Sequence, residues 1–377
     1  MLRRFSLLVC STIAVVIVVV PLHAADLGDA LQTLRAVGNE GAGNRAAAVA
    51  WKEIVTADAQ QLPRIIAALD QANPLASNWI RAAVDAIAER DLKEHGVMPK
   101  AALESFVLDV SHAPRGRRLA FEWLSRVDRT APDRLIPKLL HDPSVEFRRD
   151  AVTRLLDEAN QLLKLDQTRN GIAVIQKALS GARDLDQVKT IVSLLKQHDL
   201  QVDLPKHFGF ITAWHLIGPF DNTDEKGFDV VYPPEKKIDL SASYQGKHGS
   251  VKWIAHTTSD DYGVVDFNTA IANEQGVVSY AVADFYANQE QPAELRWGCI
   301  NASKLWLNGE LLASNEVYQA GMEVDQYIVP GTLKPGRNVI LVKICHNEMP
   351  ESWAKRWQFQ LRVCDSVGTP VVSIPRK

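Results

Sequence analysis

The chain has 377 residues, 46% of them hydrophobic and 23% charged, with a formal net charge of −3. That length exceeds one typical domain, and that apolar content is enough to fill packed cores. A near-neutral balance with no basic tract excludes the electrostatic footprint of a nucleic-acid binder.

The first element is an export signal over residues 1–25. Arg3 and Arg4 open it, an apolar run from Leu7 to Val20 follows, and Pro21 to Ala25 supply a small-residue cleavage site after Ala24 or Ala25. The run is short for a bilayer span, so an uncleaved anchor is the lesser reading. Cys10 lies inside the run, not after it, which argues against a lipid-attachment box. From Asp26 onward the chain is expected to be exported, to a periplasm, the extracellular space or a cell surface, with no membrane span after cleavage.

Residues 26–200 are rich in Ala, Leu, Arg and Asp, with apolar residues at three- and four-residue spacing, the period of helices. A short pattern recurs. It begins at Arg45, Arg81, Arg118 and Arg149, at steps of 36, 37 and 31 residues. Each copy places an Ala two positions on and an apolar residue four beyond that Ala. Helix pairs of this length that bury their faces only against neighbours form an α-solenoid. The segment Leu139-Leu140-His141-Asp142-Pro143-Ser144-Val145-Glu146-Phe147-Arg148-Arg149-Asp150-Ala151-Val152 resembles a HEAT-type repeat. Asp142-Pro143 ends one helix, because proline restricts the residue before it, and Ser144 is a candidate N-cap for the next. The resemblance implies a protein-binding face on the array. A plain helical spacer is the alternative.

Residues 201–207 read as a linker, and from Phe208 to the end the grammar changes. Aromatic and β-branched residues alternate with polar ones, with turn signals every eight to twelve residues, which predicts an antiparallel β-sandwich over 208–377. Strands are expected at 211–217, 252–256, 264–266, 277–286, 293–299, 303–307, 326–329, 338–345 and 357–364. Two strings carry a resemblance. Ala293 to Gly298 followed by Ser303-Lys304-Leu305-Trp306-Leu307-Asn308-Gly309-Glu310, and Leu333-Lys334-Pro335-Gly336-Arg337-Asn338-Val339-Ile340-Leu341-Val342-Lys343, resemble motifs of the galactose-binding-like jelly roll. This domain accompanies many glycoside hydrolases, and the resemblance implies a sugar-binding-type module. The fold also serves as a purely structural module. Asn308-Gly309 fits a type I′ hairpin turn, which needs positive φ at both residues.

Export permits disulfides, but Cys299, Cys345 and Cys364 are an odd number. If strands 338–345 and 357–364 form a hairpin, Cys345 and Cys364 fall at opposite ends, about 20 Å apart at about 3.3 Å per residue. Buried free thiols are therefore expected.

Enzyme motifs are missing from the sequence: it has no GxSxG, HExxH or P-loop. His207, His215, His248, His256 and His346 have no metal-ligand spacing. Asp260-Asp261 reads as a solvated turn. In Trp214-His215-Leu216-Ile217-Gly218-Pro219-Phe220, Trp214 and Leu216 face inward, Gly218-Pro219 breaks the strand and Phe220 plugs the end of the sandwich. The hard oxygens of Asp221, Asn222 and Asp224 motivate a structural Ca²⁺, although the spacing departs from the EF-hand loop. No other cofactor is expected. Asn301-Ala302-Ser303 fits a glycosylation sequon.

Strand parity sorts the aromatic residues. Trp297 and Trp357 fall on core faces. Leu305 and Leu307 point inward, so Trp306 and Lys304 point outward. Trp353 and Tyr318 fall in loops with Asn347, Glu348 and Glu351. Exposed rings stack on sugars while polar side chains take the hydroxyls. Trp306, Lys304, Trp353, Tyr318, Asn347 and Glu348 are therefore the candidate ligand-binding residues. The expected architecture is an N-terminal α-solenoid of HEAT-like helix pairs followed by an antiparallel β-sandwich jelly roll. The expected function is an exported, non-catalytic binding or scaffold protein, with a glycan on the sandwich and a protein partner on the helices. The alternatives are a structural component of an extracytoplasmic complex without a glycan ligand, and an accessory or unrecognised hydrolase.

Overall fold

The computed structural model describes residues 24–374. The predicted signal segment lies outside the described residues apart from Ala24 and Ala25. No described helix is long and apolar enough to cross a membrane. The described residues divide into two compact units, split between Ala151 and Val152. The division does not fall at the 201–207 linker, so the later helices share a unit with the β-strands.

The first unit is helical. Its longest complete helix, Pro74–Glu94, shows why the sequence folds this way. The Asn73 side chain accepts the Ala76 N–H at 2.9 Å, and Pro74 occupies a first-turn position where its missing N–H costs nothing. The recurring alanines Ala47, Ala83, Ala120 and Ala151 are all buried, as close helix approach requires. Charged pairs step between successive copies of the pattern: Arg81 meets Glu122 at 2.5 Å, and Arg118 meets Asp150 at 2.5 Å.

Arg117 is fully enclosed. It donates two bonds to the Asp142 carboxylate, at 2.8 and 2.6 Å, and a third to the Val107 carbonyl at 2.7 Å. Asp142 also accepts the Ser144 N–H at 2.8 Å. Here the sequence reading needs correction, because the buried Ser144 hydroxyl has no partner and makes no cap bond. Asp142 takes that local role.

The second unit begins within helix Val145–Lys164 and continues with helices Thr168–Gly181, Leu185–Lys196 and Leu204–Phe208. The residues read as a linker thus include most of a short helix. His207 sits in it, 3.0 Å from the Ala182 carbonyl oxygen. Burial, with Arg183 and Arg362 nearby, lowers its pKa from the ordinary 6.5 to about 4. Because the folded value is the lower one, the unfolded chain binds the proton first as pH falls. This contribution to stability is therefore complete above about pH 6.5 and declines toward about pH 4. Urea midpoints should fall between neutral pH and about pH 5, and His207→Gln should flatten that dependence. An unchanged pH profile in the variant refutes the assignment.

The strands are β1 (Ala213–Asp221), β2 (Ser243–Gln245), β3 (Ser250–Lys252), β4 (Ile254–Thr257), β5 (Val265–Asp266), β6 (Val277–Ala287), β7 (Gln291–Cys299), β8 (Ala302–Leu307), β9 (Glu310–Asn315), β10 (Tyr327–Leu333), β11 (Gly336–His346) and β12 (Gln358–Cys364). They form a six-stranded sheet in the order β4-β1-β6-β11-β8-β9, a four-stranded sheet in the order β10-β7-β12-β5, and the small pair β2-β3. All the pairings are antiparallel. Alternate residues of the two larger sheets meet in one core. Leu305, Leu307, Ile340 and Val342 come from the first sheet, and Leu295, Trp297, Phe359 and Leu361 from the second.

The β8–β9 turn has φ of 53° at Asn308 and 84° at Gly309, both positive as a type I′ turn demands. Its Asn308 amide bonds the buried Asn338 side chain at 2.9 Å, and Asn338 accepts the Lys334 N–H at 2.8 Å. The two strings that resemble the galactose-binding-like motifs are thereby tied together.

Three further expectations need revision. β11 and β12 lie in different sheets and form no hairpin. The thiols of Cys299, Cys345 and Cys364 are nonetheless free and buried, and burial pushes them up to about 12, 12 and 11. Gly218-Pro219 does not end its strand. β1 continues through an irregularity to Asp221, and Phe220 packs outside the main core against Tyr232 and Tyr280. Asn301 of the sequon is buried, so it presents no amide for glycosylation.

Candidate functional site

On β8 the inward positions are Leu305 and Leu307, so Trp306 and Lys304 face out, as parity requires. The outward face is not open to solvent. Residues 222–253, between β1 and β4, fold back over it. Phe228, Tyr232, Ile238, Tyr244 and Trp253 form a second apolar cluster there with Trp306, Tyr280 and Leu341. Trp306 retains 8% of its surface. It edges a cavity of about 340 Å³ beside Pro234, Glu235 and Asn308. Lys304 is engaged as well, 3.2 Å from the Asp229 carboxylate and 4.2 Å from the centre of the Phe228 ring.

The cover is pinned by a residue that sequence reasoning passed over. Lys343 on β11 is fully buried and points to this outer face. Its ammonium donates to the carbonyls of Phe228 and Val230, at 2.9 and 2.7 Å, and to Glu235 Oε1 at 2.9 Å. The Tyr280 hydroxyl donates to the same Glu235 oxygen. Burial and the Glu235 charge raise the Tyr280 hydroxyl well above its ordinary value. The ammonium has three donors, and these three acceptors satisfy them all. The one signal in the sequence is a lysine in an otherwise apolar run, Ile340-Leu341-Val342-Lys343-Ile344.

The other candidate residues gather at one end of the sandwich. Asn222 is buried and donates to the His346 carbonyl at 3.0 Å, with the Tyr318 hydroxyl at 3.4 Å. Asn347 donates to Glu225 at 2.8 Å and accepts from Gln319 at 2.8 Å. Glu348 accepts the Asp224 N–H at 3.4 Å. His346 has a carbonyl oxygen 3.0 Å from each ring nitrogen, those of Glu274 and Ala354, and burial lowers its pKa. Burial also raises the Tyr318 hydroxyl.

These bonds hold the short turn Ser352–Lys355 against the sandwich, and on it Trp353 stands 59% exposed. Lys355 of the same turn bonds to Gln275 at 2.7 Å. Four candidates therefore share this end: Tyr318, Asn347, Glu348 and Trp353. Trp306 and Lys304 belong instead to the covered face.

The residues proposed for calcium are occupied as follows. Asp221 accepts from the Thr223 backbone and hydroxyl and lies 3.6 Å from the Lys247 ammonium; the Thr223 hydroxyl bond is foremost in lowering its pKa. Asp224 pairs with Lys226 at 2.9 Å. Asn222 turns into the interior. Among the described residues no group of three or more His, Cys, Asp or Glu side chains could hold a metal ion.

No family model matches the chain, and no curated protein matches it. Solved structures give partial likenesses. A β-glucosidase from Kluyveromyces marxianus in complex with glucose is 16% identical, with a TM-score of 0.19 over 24% of this chain and 10% of that one. A family 35 carbohydrate binding module from Clostridium thermocellum is 13% identical, with a TM-score of 0.19 over 25% of this chain and 74% of that one. An anti-sigma factor domain-containing protein from Clostridium clariflavum is 11% identical, with a TM-score of 0.24 over 45% and 49%. The chain spans only a tenth of the glucosidase. At these values none of the likenesses assigns a fold or an activity to it.

Proposed function

We propose that the chain is an exported, non-catalytic binding protein. In this reading a galactose-binding-like jelly roll takes a carbohydrate at the Trp353 end, and a HEAT-like helical array engages a protein partner. The observation that carries it is the solvent-facing indole of Trp353 on a turn whose backbone is bonded to the sandwich. The backbone of its turn is held at the Ala354 carbonyl by Gln319 and His346, which limits the main-chain freedom lost on binding. Lys355 of the same turn, bonded to Gln275, supplies polar groups at this end, and a ring beside polar groups is what sugar recognition uses. Glu225 and Glu348 have structural roles in the loops, which favours binding over hydrolysis.

Trp353→Ala should weaken glycan binding by about tenfold or more, equivalent to about 1.4 kcal/mol or more, while stability changes by less than about 0.5 kcal/mol. A glycan array followed by calorimetry on the best ligand measures the first, and thermal melting the second. Binding that survives the substitution rejects the site, and an array with no bound glycan rejects the carbohydrate reading.

A second reading is a structural component of an extracytoplasmic complex. The sealed face over Trp306 favours it, because that surface serves cohesion within the chain. An empty glycan array together with an intact complex in cross-linked envelopes would select it.

A further inference from the structure

On the outer face of the four-stranded sheet lies a cavity of about 510 Å³, on the opposite side of the sandwich core from Trp306. Gln360 and Arg362 of β12 line it, with Phe208, Tyr262, the start of helix Leu185–Lys196 and the 322–325 loop around them. That volume falls within the range of small-ligand sites.

The charges in the lining are largely used up. Arg362 donates to both Asp325 oxygens, at 2.6 and 2.5 Å, and to the Phe208 and Gly368 carbonyls. Arg296 takes a further bond to Asp325 at 2.9 Å. These arginine bonds and charges act against burial to lower the pKa of Asp325. Asp260 Oδ1 accepts the N–H groups of Tyr262 and Val264. The rim carries both signs, with Lys189 5.9 Å from the Tyr262 ring and Glu323 exposed. With charges of both signs in the lining, neither a phosphate nor a cation is singled out.

Two groups in the cavity lining keep unspent hydrogen-bonding capacity. Gln360 is 3% exposed, and its side-chain amide bonds to no described residue. The Tyr262 hydroxyl likewise bonds to none. An almost buried amide that borders a cavity and bonds to no protein group is available to whatever enters that cavity. An amide offers two donors and an acceptor, and a phenol offers one donor and an acceptor. Beside them the Tyr262 and Phe208 rings, with centroids 6.2 Å apart, form an aromatic wall.

We infer that this cavity is a second binding site, for a neutral, hydroxyl-bearing ligand the size of one or two sugar units, with Gln360 and Tyr262 taking its hydroxyls. It shares no residue with the Trp353 loops and stands whether or not those loops bind glycan.

The test is two-dimensional NMR of the full chain, titrated with cellobiose, maltose and lactose, and separately with inorganic phosphate. The Gln360 side-chain amide resonance should move with at least one disaccharide and stay still with phosphate. Gln360→Leu should weaken that disaccharide by about tenfold, while Trp353→Ala leaves its affinity at this cavity unchanged. Gln360→Leu should melt no lower than the parent, because the lost amide has no protein partner. No movement at Gln360 with any disaccharide overturns the inference, as does movement with phosphate instead. A variant that melts well below the parent overturns it too, since the amide would then be structural. Disaccharide binding lost in Trp353→Ala but kept in Gln360→Leu overturns this site and leaves the Trp353 reading intact. The converse pattern supports this site and removes the other.

Discussion

Replacing Lys343 with alanine should destabilise the second unit by about 3 kcal/mol and open Trp306 to water. The substitution removes the one group that satisfies the Phe228 and Val230 carbonyls and the Glu235 carboxylate together. It also leaves a cavity under Tyr232 and Tyr280, whose rings lie 5.5 and 5.8 Å from the ammonium. Those losses fall on residues 228–235, the part of the cover nearest Trp306. Urea unfolding measures the stability, and iodide quenching of tryptophan fluorescence reports the opening. Lys343→Met should lose less, since it keeps the buried stem. Pairing Lys343→Met with Glu235→Leu should recover part of the remainder, because removing both charges leaves neither one stranded. Equal quenching in parent and alanine variant would refute the clamp.

Asp142→Ala should cost the helical unit about 3–5 kcal/mol, a fall in melting temperature on the order of 10 °C. The guanidinium of Arg117 has no exposed surface, and Asp142 accepts two of its hydrogen bonds while the Val107 carbonyl accepts a third. Without the carboxylate a full positive charge stays buried beside the Phe147 ring, 5.2 Å away. The double substitution Arg117→Met with Asp142→Leu should be much closer to the parent. Differential scanning calorimetry of all three chains decides it; a double variant as unstable as Asp142→Ala would show that packing, not the stranded charge, sets the cost.

The strands were legible because burial on one face writes a period of two, and each of the nine expected segments overlaps a strand. Parity also placed Leu305, Trp297 and Trp357 in the core and Trp306 on the other face. Parity cannot say what lies over an outward face. Residues 222–253 contain only the short strands β2 and β3 and two brief helical turns, Thr223–Phe228 and Pro233–Lys236, so no repeating pattern announces that they form a lid. Lys343 was illegible for a related reason: alternation tells direction, and its partners come from that unpatterned segment. The β11–β12 hairpin failed because adjacency in sequence was taken for adjacency in a sheet, whereas a sandwich routinely passes the chain from one sheet to the other. The Trp353 loops were partly legible, since tryptophan, asparagine and glutamate crowd a stretch without strand period. Gln360 and Tyr262 were not. Each is ordinary in its own segment, and only the packing of helix, turn and sheet brings them to one cavity.

The position of β10 has a consequence for how the protein behaves in a crowded compartment. It is the outermost strand of its sheet, pairs only with β7, and carries Pro330 and Gly331 midway along its length. Proline has no N–H to lend to a further strand, and glycine weakens any extended addition. An open strand margin is the usual template for chain-to-chain accretion, and here it is blunted near its centre. At this margin a strand from a neighbouring copy finds no continuous ladder to join, which removes one route to accretion.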